Sequence, residues 1–458
     1  MDQRMYAPVG AAGRAEVRAR PRVVIVGGGF AGVAAARALR HAPVDIVLID
    51  RRNHQIFQPL LYQVATAVLA PSDVAAPFRQ LAAKQPNVSV EMAEVTAIDT
   101  GARVLRALLL NAEWLDVAYD YLIIAAGARP SYFGHDAFAA FAPGLKTLSD
   151  AEAVRSKILK AYELAELTQD PGELQRLMTF VLVGGGPTGV ELAATIAQMA
   201  QVTLRRNFKR IRPEQTKVVL LEGGSRILPS FDPHLAEAAR AQLNRLGIEV
   251  RTGAVAETID ADGVVAGGIR IRAATVLWTA GVAASPLAAM AGAETDRGGR
   301  ARVGPNLETS DASGVFVVGD AASVLQDGKP VPGVAQAALQ QGAHVGALIA
   351  ARVAGETPPP LFRYRDKGSM AVVGKNFALL EAPGAKLSGW LAWFVWAFIH
   401  IAFLPRLQNR LRVGVQWLWT YFTGQRGARL IAEPAWTAPR PVAAAAPPAA
   451  ERGAGRIG

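Results

Sequence analysis

One pattern occurs twice in this chain, and it limits the possible folds more than any other feature. RVVIVGGGFAGVAAARAL begins at Arg22 and TFVLVGGGPTGVELAATI at Thr179. Each reads as a short apolar strand, a glycine-rich turn and an alanine-rich helix, which is how a dinucleotide-binding unit begins. The likeness continues downstream, where YLIIAAGARP from Tyr121 is echoed by TVLWTAGVAASP from Thr275. Repetition of both halves implies two such units in one chain.

In the first copy Gly27, Gly29 and Gly32, with Gly28, Phe30 and Ala31 between them, follow the strand. Asp50 ends the next strand, VDIVLID, 18 residues after Gly32, and Arg51 follows it. The first glycine permits a tight turn, the second lets the backbone approach a pyrophosphate, and the third lets helix and strand pack closely. The helix N-terminus offers unpaired N–H groups to phosphates, and Asp50 is placed to accept hydrogen bonds from a ribose diol. The second copy has Gly184, Gly186, Pro187, Thr188 and Gly189, with Glu222 ending KVVLLE. Here the acid lies 33 residues beyond Gly189, against about 20 in the usual pattern. The excess reads as an extended basic helix, TLRRNFKRIRPEQ, and the spacing leaves a surface acid as the other reading of Glu222. If Glu222 faces a ribose, its charge repels a 2′-phosphate and the site prefers NADH to NADPH. A further strand, GVFVVGDAA, ends in Gly319 and Asp320; alone it is an ordinary strand-to-helix junction. The fold class expected is α/β, with two Rossmann-like dinucleotide-binding domains.

Composition removes whole chemistries. The chain has no cysteine, which excludes disulfide relays, cysteine nucleophiles, thiolate iron–sulfur clusters and thiolate zinc sites. Redox chemistry must then run on a bound organic cofactor. The six histidines, His41, His54, His135, His234, His344 and His400, lack metal-ligand spacing, so no metal site is expected. Met1 to Arg22 carries five arginines and no apolar core, unlike a secretory signal, so the catalytic body is expected on the cytoplasmic side.

The net charge of +11 is concentrated at one end: Leu361 to Gly458 holds 13 Lys/Arg against 4 Asp/Glu. Six of eight tryptophans lie there too: Trp390, Trp393, Trp396, Trp417, Trp419 and Trp436. With no nucleic-acid-binding module, basic charge beside tryptophan points to an anionic bilayer surface and not to nucleic acid. Gly389 to Leu404, GWLAWFVWAFIHIAFL, is uncharged apart from His400 and is stopped by Pro405. Its 16 residues fall short of the ~20 that span a bilayer. It reads as a surface-embedded helix. In the next segment Leu407, Leu411, Val415, Leu418 and Phe422 recur in a 4,4,3,4 rhythm beside Arg406, Arg410 and Arg412, an amphipathic pattern. Burial of both helices in a dimer interface is the competing reading, and the two can coexist.

The paired fingerprints, the turns at Ala126–Gly127 and Gly281, and Gly319–Asp320 together resemble the two-dinucleotide-domain flavoprotein reductases. NHQIFQPLLYQVATAVL after Asp50, GGPTGVELA, AQAALQQG from Ala335 and FRYRDKGSMAVVGKN from Phe362 are similar to the type II NADH:quinone oxidoreductases. That resemblance implies FAD in a first domain (22–130 and 281–360), NADH in a domain inserted into it (131–280), and a carboxy-terminal cap with a membrane anchor (361–434). Residues 1–21 and 435–458 are expected to be a disordered extension and tail. It also implies Gly319 and Asp320 at the FAD, Glu191 near the nicotinamide, and Ala335, Gln336 and Gln340 of AQAALQ at the quinone. Lys375 is a candidate cation near the flavin. Read from residues alone, the two glutamines belong to a solvated helix, Glu191 is a partner for a helix dipole and Lys375 is a surface lysine. The implied activity carries electrons from NADH to a membrane quinone, ubiquinone or menaquinone, without proton pumping. The implied form is a homodimer, monotopic on the cytoplasmic face of the cytoplasmic membrane. A soluble NADH oxidase, a ferredoxin-type reductase and a non-catalytic flavoprotein are the alternatives; membrane association and quinone-dependent turnover discriminate among them.

Overall fold

The computed structural model describes residues 20–431. The expected disorder of residues 1–19 and 435–458, and Trp436, lie outside the described residues.

Two parallel sheets carry the repeat. In the first, β1 (Arg22–Val26) leads through the glycine turn into α1 (Phe30–Ala38) and then β2 (Asp45–Asp50). β3 (Val88–Asp99), β4 (Val104–Leu109), β5 (Trp114–Ala118) and β6 (Tyr121–Ile124) follow. The spatial order is Val315–Val317, β6, β1, β2, β3, β4, β5. The pairs from Val315–Val317 to β3 are parallel, and β3 then runs past the sheet into an antiparallel meander with β4 and β5. Val23, Val24 and Ile25 are wholly buried. An unbroken run of β-branched residues is what a strand covered on both faces requires.

The second sheet repeats this core. β7 (Thr179–Val183) leads through the second glycine turn into the helix Pro187–Gln198, and β8 (Lys217–Glu222), β9 (Ile248–Thr252) and β10 (Thr275–Trp278) complete the order β9, β8, β7, β10, all parallel. The echo of Tyr121 by Thr275 is thus spatial as well: β6 pairs with β1 as β10 pairs with β7. Ala128–Pro130 and Val282–Ala284, on the two crossings between the sheets, pair antiparallel.

The helices that frame the cavities are α1, α2 (Leu61–Ala65), α3 (Pro187–Gln198), α4 (Ala335–Ala354), α5 (Trp390–Phe403) and α6 (Leu407–Thr423). α4 lies against α1 with almost no side chain between them. A Cβ at Gly342 would collide with the Ala31 carbonyl, and one at Gly346 with Ala38 and Ala35. A small antiparallel sheet, Ser369–Val372, Ala378–Ala382 and Ala385–Gly389, then leads into α5.

One expectation is corrected. TLRRNFKRIRPEQ is not an extended helix: α3 runs into a π-helical turn, Met199–Thr203, and the remainder is irregular up to a single 3-10 turn, Pro213–Gln215. The Glu166 carboxylate accepts the backbone N–H groups of Lys209, Arg210 and Ile211 at 3.0–3.1 Å, taking donors that a helix would use. Pro213 has no N–H to continue one.

Candidate functional site

The two glycine turns are built alike, and each is closed by its acid. Gly27 sits at φ +101 and Gly184 at φ +113, conformations that favour glycine. A Cβ at Gly32 would strike the Gly27 carbonyl, and one at Gly189 the Gly184 carbonyl, while Gly29 and Gly186 face open space. Asp50 accepts the N–H of Gly28 and that of Arg52, both at 2.8 Å. Glu222 accepts the N–H of Gly185 and that of Gly224, both at 2.7 Å. The surplus spacing in the second copy lies in the irregular segment after α3, so Glu222 still reaches the position that Asp50 holds in the first.

A cavity of ≈880 Å³ opens along the first turn. Its wall includes Gly27, Gly28, Gly29, Phe30, Ala31, Asp50, Arg51, Ala126, Gly127, Gly319, Asp320 and Ala335. From the second unit come Thr188 and Glu191, so the first turn of α3 and the fingerprint of α1 face the same space. A long cofactor fits these residues. Gly29 and Gly127 leave room where a Cβ would stand, and the N-terminus of α1 carries no side-chain cap on its free N–H groups. Pro187, Gly186 and Gly189 build the second turn at the start of α3, and they and Glu222, at the end of β8, lie outside this wall. Gly281, at φ +125, packs against the Phe133 ring.

Glu191 is the electrostatic anomaly of the cavity. It is 9% exposed, its carboxylate accepts, among the described residues, only the Val372 N–H at 3.3 Å, and burial pushes its carboxyl up to about 8. The group is therefore neutral over most of the physiological range.

Three candidate residues lie outside the wall of the large cavity. Gln340 does not line the cavity; its amide donates to the Arg365 carbonyl and accepts the Arg365 N–H, both at 2.9 Å. That closed pair ties α4 to the start of the cap. Gln336 is half-buried in the first turn of α4, next to the lining residue Ala335. Lys375 also stands off the large cavity: its ammonium donates to the Tyr421 carbonyl at 2.7 Å and lies 4.0 Å from the centre of the Tyr421 ring. A carbonyl and an aromatic face on α6 hold this cation, not the dinucleotide wall.

Lys375 belongs to a second, smaller cavity of ≈200 Å³ between α2, α3 and the helices α5 and α6. Trp393, Trp396, Trp417 and Tyr421 make most of its wall apolar. Arg426 also lines it, buried, donating to the carbonyls of Thr66 and Thr195, and desolvation lowers its guanidinium to about 9. Tyr62 lines both cavities.

Tyr62, Gln63, Gln341 and Arg426 were missed in the sequence. Gln341, buried, accepts the Gly319 N–H and so holds the Gly-Asp turn against α4. AQAALQQG contains it, but only the fold shows that the third glutamine, and not the second, reaches the turn. The other three lie on apolar or basic stretches where nothing local marks a polar role.

The chain has known relatives. Residues 21–342 match the pyridine nucleotide-disulphide oxidoreductase family. A type II NADH:quinone oxidoreductase of Mycobacterium tuberculosis is 41% identical over 425 residues, covering 90% of this chain and 91% of that protein. A demethylphylloquinone reductase of Synechocystis is 31% identical, covering 87% of this chain and 96% of that protein. Among solved structures, the NDH2 of Plasmodium falciparum in complex with NADH superposes with a TM-score of 0.82 at 19% identity, covering 89% of this chain and 99% of that one.

Proposed function

Because the chain belongs to the pyridine nucleotide-disulphide oxidoreductase family, and within it to the type II NADH:quinone oxidoreductases, we propose that it passes electrons from NADH through FAD to a membrane quinone. One observation carries the reading: the first fingerprint, together with Thr188 and Glu191 from the helix that follows the second, lines a single cavity that shares a wall residue with an apolar pocket under exposed helices. FAD, when bound, accepts a hydride from NADH and gives two electrons to a quinone.

The residues have separate tasks. Gly27 to Ala31 and the N-terminus of α1 hold the FAD pyrophosphate, with Asp50 and Arg51 at the ribose, while Ala126, Gly127, Gly319 and Asp320 line the remainder of the cofactor's course. Gly184 to Gly189 hold the NADH pyrophosphate, and Glu222 faces its ribose and disfavours a 2′-phosphate. In domain terms, residues 22–130 and 281–360 hold FAD and 131–280 hold NADH. Glu191, protonated at neutral pH, places a neutral carboxyl where the nicotinamide arrives and holds a proton within the cavity. Gln336 stays a candidate contact to the quinone, beside Ala335; Gln340 is assigned to structure.

The quinone, ubiquinone or menaquinone, reaches the site through the pocket of Trp393 and Trp417. Leu407, Leu411, Val415, Leu418 and Phe422 of α6 are each 61–79% exposed, and Phe394 and Phe398 of α5 are exposed beside them. No helix among the described residues is long and apolar enough to cross a membrane. In this reading α5 and α6 lie in one leaflet on the cytoplasmic face of the membrane, and the protein is a homodimer. No step moves a proton across the bilayer. Purified protein is expected to release FAD on acid precipitation and to oxidise NADH only when a short-chain quinone is supplied. NADH oxidation at the same rate without quinone would point to an oxidase instead.

A further inference from the structure

Tyr62 is the one residue, among those described, that lines both cavities. Tyr62 is 3% exposed, and burial, with the neighbouring Glu191 carboxyl as a smaller cause, pushes its hydroxyl well above the usual range, so it stays protonated. The geometry around that hydroxyl fixes which way it can act. The Trp417 indole N–H, which can only donate, gives its hydrogen to Gln63 Oε1 at 2.7 Å. With its oxygen taken, Gln63 must turn its NH₂ the other way, and Nε2 donates to the Tyr62 hydroxyl oxygen at 3.1 Å. Tyr62 is thus an acceptor from Gln63, and its own hydrogen is left to be given away. None of the hydrogen bonds in the described residues uses it. A buried donor whose hydrogen is unspent needs an acceptor.

The same outer helix holds the whole segment. Asn409 donates to the carbonyls of Ser72, Asp73 and Ala75 at 2.8–3.3 Å, and Arg426, just beyond α6, donates to the Thr66 carbonyl at 2.9 Å. Asn409, Trp417 and Arg426 therefore fasten residues 62–75 from the inner side of α6, whose outer side is the exposed apolar ridge. An orientation set this firmly suits a ligand that offers only acceptors. A quinone ring has two carbonyl oxygens and nothing to donate.

We propose that Tyr62 donates its hydroxyl hydrogen bond to a carbonyl of the acceptor quinone, and that Gln63 and Trp417 are positioning residues that aim it. This rests on the quinone reading above. It makes the wall between the cavities the place where the quinone is held, and it makes α6 responsible for the alignment of that wall.

The test compares two acceptors on FAD-loaded enzyme: a short-chain quinone, and ferricyanide, which has no carbonyl to hold. Tyr62→Phe, which keeps the ring, should raise the quinone KM about tenfold and lower the ratio of quinone to ferricyanide turnover by the same factor. Quenching of tryptophan fluorescence by the quinone should show the same weakening of binding without turnover. Trp417→Phe, which removes the indole donor but keeps an aromatic ring, should raise the quinone KM several-fold with kcat less affected, because the Gln63 amide is then free to rotate. A Tyr62→Phe enzyme whose quinone KM and quenching midpoint stay within twofold of the parent overturns the proposal. If that variant fails to fold, an unchanged quinone KM in Trp417→Phe does so. If the unaltered enzyme reduces ferricyanide but no quinone, the functional reading has failed and this proposal falls with it.

Discussion

Glu222 and Asp50 show how much work one carboxylate can do at the end of a strand. Each accepts two backbone N–H groups and so holds the glycine turn and the following loop together, and the proposed function places each at a ribose. Replacing Glu222 by Ser removes a repulsion against a 2′-phosphate. The preference for NADH over NADPH should narrow about tenfold, the ~1.4 kcal/mol scale of one such interaction, read as the ratio of the two kcat/KM values. Glu191 makes the opposite case, a carboxyl with one weak partner. Its folded value of about 8 lies above the ordinary 4.5, so the folded state holds a proton that the unfolded chain gives up. Stability contributed by this group is therefore full below pH 4.5 and is lost as pH rises towards 8. Glu191→Gln should raise the Tm of the FAD-loaded protein at pH 9 and leave it nearly unchanged at pH 5; an equal shift at both pH values would mean the carboxyl is not the cause. The sequence located both acids through the glycine pattern. It could not separate Gln340 from Gln341, because both fall on α4 and only the neighbours, Arg365 and Gly319, distinguish them.

The elements follow from local pattern wherever burial is one-sided or complete. Val/Ile-rich runs became buried parallel strands, and the 4,4,3,4 rhythm marks the residues that α6 turns outward. The basic segment after α3 failed as a helix because Glu166, 43 residues away, takes its backbone donors, and no local rule contains that contact. Likewise Lys375 gives no sequence sign that Tyr421 will hold it. The α1–α4 contact is set by Gly342 and Gly346 against alanines, and it carries the Gly319 turn with it. Gly346→Leu should separate these helices, lower stability by about 1–3 kcal/mol and weaken FAD retention. Denaturant unfolding and flavin content after gel filtration would check both.

At the scale of the molecule, one end handles nucleotides and the other presents tryptophan, arginine and an apolar ridge. Basic residues draw such a surface to anionic lipid, but the apolar area should hold it there once salt screens the charges. Membrane-bound protein should therefore resist a high-salt wash; clean release by salt alone would mean that α5 and α6 are covered by protein instead. Because Thr188 and Glu191 of the second unit face the same cavity as the first fingerprint, the central claim is directly measurable. Under anaerobic conditions one equivalent of NADH should bleach the bound flavin, and a short-chain quinone added in a second mix should restore its colour, forming one quinol per flavin. A flavin that NADH bleaches but only oxygen recolours, or one that NADH leaves untouched, would contradict the account.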